Sequence, residues 1–231
     1  MNKLNFFLIH HPLPQKVIDN FKNVDITHPE IFTQQRSEKR RYFSIQDKKE
    51  YSFYDDEMLR ELKYSIAKTM GLNYDEYVEV RDSIGINDAG VAIKPHFDII
   101  EHHHISLDDS NKSKIEMYKE WTNLNPDPYS KHPDEIKEYV QMRCNMFIIE
   151  PKVGQHAWVE DKVLEIPRGG FGAAFDSGKL HGTTPGSDKK MTISLGYLVR
   201  RKTFDDLVVK NTNENVKIYV DTKYMNGEYP G

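Results

Sequence analysis

The chain opens on a short apolar run, Phe6-Phe-Leu-Ile-His10, which reads as a first strand and is far too short for a signal h-region or a membrane span. Its clearest helical period lies at residues 55–70. Met58, Leu59, Leu62, Ile66 and Met70 fall on one stripe, acids crowd the first turn, and Gly71 follows as a stop. Such a helix would cover one face of a sheet. From Tyr77 the period changes to two: Tyr77, Glu79, Arg81, Ser83 and Gly85 alternate with Val78, Val80, Asp82, Ile84 and Ile86, a mostly apolar set that predicts a half-buried strand. Asn87-Asp-Ala-Gly90 is a turn, and residues 91–100 read as the next strand.

A polar stretch then breaks the pattern. It holds Asn125-Pro-Asp-Pro128 and two helix-like pieces, 113–124 and 133–140, and reads as an insertion or lid between strands, with Tyr118, Trp121, Tyr129 and Tyr139 as its aromatic residues. Strands resume at 142–150, 156–159, 162–166, 170–175 and 191–199, short, rich in β-branched and aromatic residues and separated by Gly, Pro and Asp turns. Many short strands at even spacing predict a sandwich or closed barrel. The expected layout is one domain over 1–231: an N-terminal α/β support (1–76), a β core (77–200) with the insertion at 108–140, and a C-terminal extension (201–231) adding edge strands and a tail.

A chain of 231 residues is long enough for one well-buried domain. Lys and Arg number 32 against 36 Asp and Glu, for a formal charge of −4, so no excess of positive charge exists to neutralise phosphates and no nucleic-acid partner is expected. The basic strip at 36–41, Arg-Ser-Glu-Lys-Arg-Arg, reads as solvated surface. A single cysteine, Cys144, excludes a disulfide framework and a thiolate zinc site, and the simplest compartment is the cytoplasm, with no membrane association.

Two segments carry the chemistry: Lys94-Pro-His-Phe-Asp98 and Gly178-Lys-Leu-His-Gly-Thr-Thr-Pro-Gly186. At period two, His96 and Asp98 project from the same face of a strand, and His181, after a remote strand and before a Gly/Pro turn, would complete a set of two histidines and one carboxylate. Three such ligands on one face of an ion, with the other face open, suit catalytic non-haem Fe(II). Lys190 offers a cation for the far carboxylate of an α-keto acid. The rival third ligand is His156. His132-Pro-Asp134 reads as a helix start, its proline suited to the first turn and its acid to the dipole. In His102-His-His104, adjacent side chains point in opposite directions, so the three cannot chelate one ion, and His10, His11 and His28 are read as structural.

Pro95-His-Phe-Asp98, Arg143-Cys-Asn-Met146, the run Ile166-Pro-Arg-Gly-Gly-Phe-Gly-Ala-Ala-Phe-Asp-Ser-Gly-Lys-Leu-His-Gly182, and Lys190 at the head of a strand together resemble the Fe(II)/2-oxoglutarate-dependent oxygenases, over about residues 78–200. The order is most similar to the prolyl hydroxylase and aspartyl/asparaginyl β-hydroxylase branches. The resemblance implies a mainly β fold, the double-stranded β-helix (a jelly-roll, cupin-like barrel), here with flanking N-terminal helices and a helical insertion. It also implies Fe(II) on His96, Asp98 and His181. Lys190 would pair with the distal carboxylate of 2-oxoglutarate, with Lys189 as the alternative should the register slip by one. Thr192 or Ser194 would add a hydroxyl, and Arg143 or Asn145 would touch 2-oxoglutarate or the substrate. O2 would be the second co-substrate, and the product set a hydroxylated substrate, succinate and CO2. Halogenating relatives lack the carboxylate ligand, so Asp98 points to hydroxylation. The sequence leaves the target open among an amino acid, a peptidyl residue and a small metabolite. The alternative is a cupin-like metal-binding barrel, an isomerase or ligand-binding protein without 2-oxoglutarate chemistry, which would leave Lys190 without a role.

Overall fold

Strands that alternate between two sheets build the core. The structure is a computed structural model and describes residues 4–25, 34–37, 40–98, 112–124, 138–152, 155–212 and 218–220. In chain order the strands are β1 (Phe6–His10), β2 (Gln34–Ser37), β3 (Arg40–Ser44), β4 (Tyr77–Asn87), β5 (Ile93–His96) and β6 (Tyr139–Ile149). They continue as β7 (Gln155–Val159), β8 (Lys162–Ile166), β9 (Phe171–Asp176), β10 (His181–Thr183), β11 (Lys190–Arg200) and β12 (Ile218–Val220). The helices are α1 (Gln15–Lys22), α2 (Asp56–Met70), α3 (Lys112–Leu124) and α4 (Arg201–Asn211).

The large sheet runs β1-β9-β6-β11-β4-β3-β2 and the small one β12-β8-β7-β10-β5, with antiparallel pairing throughout. From β4 onward the chain passes from large to small sheet and back, with only β7 and β8 consecutive in one sheet. That is the winding of a double-stranded β-helix, a jelly roll.

The two faces of the large sheet differ because alternate residues differ. Met142, Cys144, Met146, Ile193 and Leu195 turn outward into a buried core with Leu62 and Ile66 of α2, Phe204 of α4 and Phe21 of α1. Helix α2 forms as its sequence predicts: Asp55 caps it by accepting from the Met58 N–H at 2.9 Å, and Gly71 ends it at φ 87°. The inner-face set is largely polar, with Arg143, Asn145, Lys190, Thr192 and Ser194 among it, and it lines a cavity between the sheets.

Three expectations need correction. Strand β4 does not keep one apolar face. Ser83 pairs with Ser194 but Val80 with Gly196, so Arg81 and Asp82 together stand opposite Leu195 in a β-bulge. Ile84 and Ile86 therefore join the outer core, while Val78 and Val80 turn inward to meet Met117 and Trp121 of α3. Asp82 holds the bulge, accepting from the Gly196 N–H at 3.0 Å and pairing with Lys63 of α2 at 2.8 Å. Secondly, Tyr139 and Val140 are not helical: they open β6 in register with Arg200 and Val199, while 125–137 lie outside the described residues. Thirdly, β5 ends at His96, so Asp98 sits just past a strand, not on it.

The insertion contributes α3 to the inner side of the large sheet. Trp121 and Tyr139, expected on a lid, are buried with Val78, Val80 and Leu198, and Arg200 binds both Glu120 oxygens at 3.1 and 2.6 Å. Among the described residues no helix is long and apolar enough to cross a membrane.

Candidate metal centre

Strand pairing brings the three expected ligands together. His181, the first residue of β10, stands directly opposite His96, the last of β5. Their rings lie 4.3 Å apart between centroids, and Phe175 packs on His181 at 4.8 Å. Gly182 makes the approach feasible: a Cβ there would meet the Ile93 carbonyl at 2.3 Å and the Trp158 ring at 2.6 Å. Asp98 reaches the same point because its N–H donates to the Ser177 carbonyl at 3.0 Å, while the Ser177 N–H and hydroxyl both donate to the Gln141 carbonyl of β6. One turn, 177–180, thus fixes both halves of the cluster.

Donor atoms of His96, Asp98 and His181 all lie within 4.8 Å of one another. His181 Nδ1 is 2.8 Å from the Lys179 carbonyl. A carbonyl only accepts, so Nδ1 carries the proton and Nε2 is left as the lone-pair donor facing the cluster. Asp98 divides its oxygens: Oδ1 lies 3.7 Å from His96 Nε2 and 3.9 Å from His181 Nε2, while Oδ2 accepts from Arg143 Nε at 3.3 Å. Burial would raise the Asp98 pKa, but His181, Arg143 and His96 outweigh it and hold the carboxyl below its ordinary value. Two imidazole nitrogens and one carboxylate oxygen brought this close are a donor set that fits a divalent first-row ion, whose binding would displace any proton from the ring nitrogens it takes. His156, the rival ligand, is not in the cluster: it lies on β7 opposite Glu165, and its carbonyl accepts from Thr184. His28, His102 to His104, His132 and Asp134 lie outside the described residues.

The cluster sits on a cavity of about 110 Å3 whose floor is the inner face of the large sheet. Cross-strand register arranges that floor in rows. Arg40, Asn87 and Lys190 form one; Tyr42, Gly85, Thr192 and Phe147 the next; Ser83, Ser194, Asn145 and Ala173 a third. Thr192, Ser194, Arg143 and Asn145 therefore all face the cavity, as their spacing requires. Lys190, not the exposed Lys189, is the inward residue: it is 3% exposed and donates to Thr183 Oγ1 at 3.2 Å. Burial, reinforced by the charge of Arg40, pulls the Lys190 ammonium down to about 7.

Arg40 and Asn87 escaped the sequence reading. Arg40 belongs to the strip taken for solvated surface, yet on a strand its neighbour Arg41 turns outward toward Asp88 while Arg40 and Tyr42 turn into the cavity. The signal was the alternation Arg40, Tyr42 alone. Asn87 is 4% exposed, and its Nδ2 has no hydrogen-bond partner among the described residues, which leaves a donor between two cations.

No family model and no curated protein matches the chain. Solved structures similar to it are prolyl hydroxylases and other 2OG-dependent oxygenases. The viral collagen prolyl hydroxylase vCPH of Paramecium Bursaria Chlorella virus-1, in its 2OG complex, is 12% identical, with 85% of this chain and 97% of that one covered and a TM-score of 0.47. A Pseudomonas putida prolyl-4-hydroxylase is 14% identical over 85% and 93%, at 0.48. The non-heme alpha ketoglutarate dependent epimerase SnoN from nogalamycin biosynthesis is 8% identical over 84% and 77%, also at 0.48. These are likenesses of architecture; what the chain does has to come from its own side chains.

Proposed function

We propose that this chain is a non-haem Fe(II)- and 2-oxoglutarate-dependent dioxygenase that hydroxylates a C–H bond of an amino acid, a peptidyl residue or a small metabolite. The observation that carries the reading is the pairing, in one cavity, of the His96–Asp98–His181 cluster with a buried lysine. His96, Asp98 and His181 would hold the iron. Bound there, iron would supply O2 activation coupled to oxidative decarboxylation of 2-oxoglutarate to succinate and CO2, with one oxygen atom going to succinate and one to substrate.

The chain's own residues do the rest. Lys190, beside Thr183, presents an ammonium that would bind the far carboxylate of 2-oxoglutarate, with Arg40 and the Asn87 amide on the same row and the Thr192 hydroxyl on the next. The Lys179 carbonyl accepts from His181 Nδ1, which turns Nε2 toward the cluster as the nitrogen that would bind the metal. Arg143 holds Asp98 Oδ2 and so keeps Oδ1 turned to the histidines. Trp158, Val159 and Ile166 of the small sheet, with Phe175 of β9 facing them, make that side of the cavity apolar, which restricts water around the reacting atoms.

The test is succinate release by anaerobically purified protein given Fe(II), 2-oxoglutarate and O2. The expected result is slow, iron-dependent succinate formation that His181→Ala and Lys190→Ala both abolish. Iron binding with neither binding nor consumption of 2-oxoglutarate would hand the site to the cupin-like alternative.

A further inference from the structure

The cavity is more positive than its co-substrate needs. Arg40, Lys190 and Arg143 line it, and among the described residues Asp98 is the sole carboxylate of the lining. A divalent metal on the cluster and a dicarboxylate on the Lys190 side cancel each other in charge, so three cations still face one acid. The chain as a whole carries more acids than bases, 36 against 32, so this local excess is not inherited from composition.

Two of the three cations stand on one row, at the Lys190 end. Arg143 stands apart, beside the cluster, and the fold has made room for it. Gly196 is its cross-strand neighbour, and a Cβ on Gly196 would lie 2.9 Å from Arg143 Nη1. The β4 bulge turns the Arg81 carbonyl to accept from that same Nη1. Nε is engaged by Asp98. The hydrogen bonds of the guanidinium within the described residues run through Nε and Nη1, and the side chain lines the cavity, so Nη2 is the nitrogen left for a ligand. Two residues along the same face, Asn145 carries a buried Oδ1 that has no hydrogen-bond partner among the described residues. A guanidinium seated this firmly, with one donor nitrogen left open next to the metal ligands, is a receptor for a planar anion.

We propose that Arg143 binds a carboxylate of the primary substrate, with Asn145 taking a polar group beside it, so that the substrate is a free carboxylic acid of the α-amino acid type and not an internal peptide residue. The inference rests on the oxygenase reading for the identity of the reaction, not for the binding itself. A carboxylate on Nη2 lies beside Asp98, which brings the carbons of a short side chain to the open face of the cluster.

The experiment is calorimetric titration of the Co(II)-loaded full-length protein without O2, with and without saturating 2-oxoglutarate. The probes are the free L-amino acids, each beside its carboxamide and its N-acetyl amide. At least one free acid is expected to bind tenfold or more tightly than its amide, and Arg143→Gln should bring that preference within about twofold. Should the variant fail to fold, the comparison of acid with amide in the wild type still decides. Equal binding of acid and amide, tighter binding of the N-acetyl amide, no binding of any probe, or a preference that survives Arg143→Gln overturns the proposal. Failure of the oxygenase reading shows separately, as absence of 2-oxoglutarate binding in the same protein, and the acid–amide comparison without 2-oxoglutarate still tests Arg143.

Discussion

Replacing Lys190 with methionine removes a buried charge while keeping a flexible stem of similar length. Burial and Arg40 pull the ammonium from its ordinary 10.5 to about 7, so the folded protein holds the charged form at a penalty. At 1.36 kcal/mol for each tenfold change in proton affinity, the gap corresponds to roughly 5 kcal/mol. Below pH 7 the lysine is protonated in folded and unfolded chain alike, and the whole penalty is present. Between 7 and 10.5 the folded protein releases the proton while the unfolded chain keeps it, so stability climbs with pH and the penalty fades. Methionine escapes it, less whatever the cavity loses in hydrogen bonding to Thr183. We expect Lys190→Met to gain about 2–3 kcal/mol at pH 6, or roughly 5–10 °C in melting temperature for a chain of this size. The gain should shrink toward zero near pH 10.

The ligand arm of the same experiment has the opposite sign. In the wild type, 2-oxoglutarate at a hundred times its dissociation constant should add about 2.7 kcal/mol. The variant should show almost none of this. Because binding requires the charged lysine, wild-type affinity should fall by about tenfold per pH unit above 7, with a proton taken up on binding. Thermal melts from pH 6 to 10, with and without 2-oxoglutarate, measure both. A Lys190→Met protein that melts below wild type at pH 6, or that 2-oxoglutarate stabilises as much as it does wild type, would refute Lys190 as the buried anchor.

Arg40→Gln removes the charge that helps depress Lys190, so the pH at which 2-oxoglutarate affinity begins to fall should move upward, while affinity at pH 6 drops about three- to tenfold; calorimetry at three pH values reads both. In Gly182→Ala the new methyl would meet the Ile93 carbonyl at 2.3 Å, forcing β5 away from β10 and His96 away from His181; Co(II) affinity should fall at least tenfold, and the protein should lose roughly 2–4 kcal/mol in a denaturant melt. Lys63→Met leaves Asp82 buried without its cation and should cost about 3–5 kcal/mol, and because Asp82 also holds Gly196, the loss should be accompanied by weaker metal binding.

The cluster was legible because its signals are local. A histidine and an aspartate two residues apart on an extended segment, and a histidine between a strand and a Gly/Pro turn, need no partner strand to be noticed. The inward lysine was legible for the same reason, since 190, 192 and 194 share a face in any register. Arg40 was not, because a run of basic residues reads as one solvated patch until a strand divides it, sending Arg41 to Asp88 and Arg40 inward. The β4 bulge was hidden for a related reason. Its one trace was Asp82, a carboxylate in an otherwise apolar series, and the partners that explain it, Lys63 on α2 and the N–H of Gly196 on β11, are remote in sequence.

Those remote partners matter to function as well as to fold. Asp82 fixes the bulge, the bulge aims the Arg81 carbonyl, and that carbonyl together with Gly196 seats the guanidinium that holds Asp98. An ion pair on the outer, helical side of the sheet is in this way connected to the orientation of Asp98 on the inner side. Periodicity along one strand reports which face a residue takes. What the residue meets there is set by register across strands, and it is at that level that Arg143 changes from a polar residue of unknown orientation into a guanidinium fixed between the Arg81 carbonyl and Asp98.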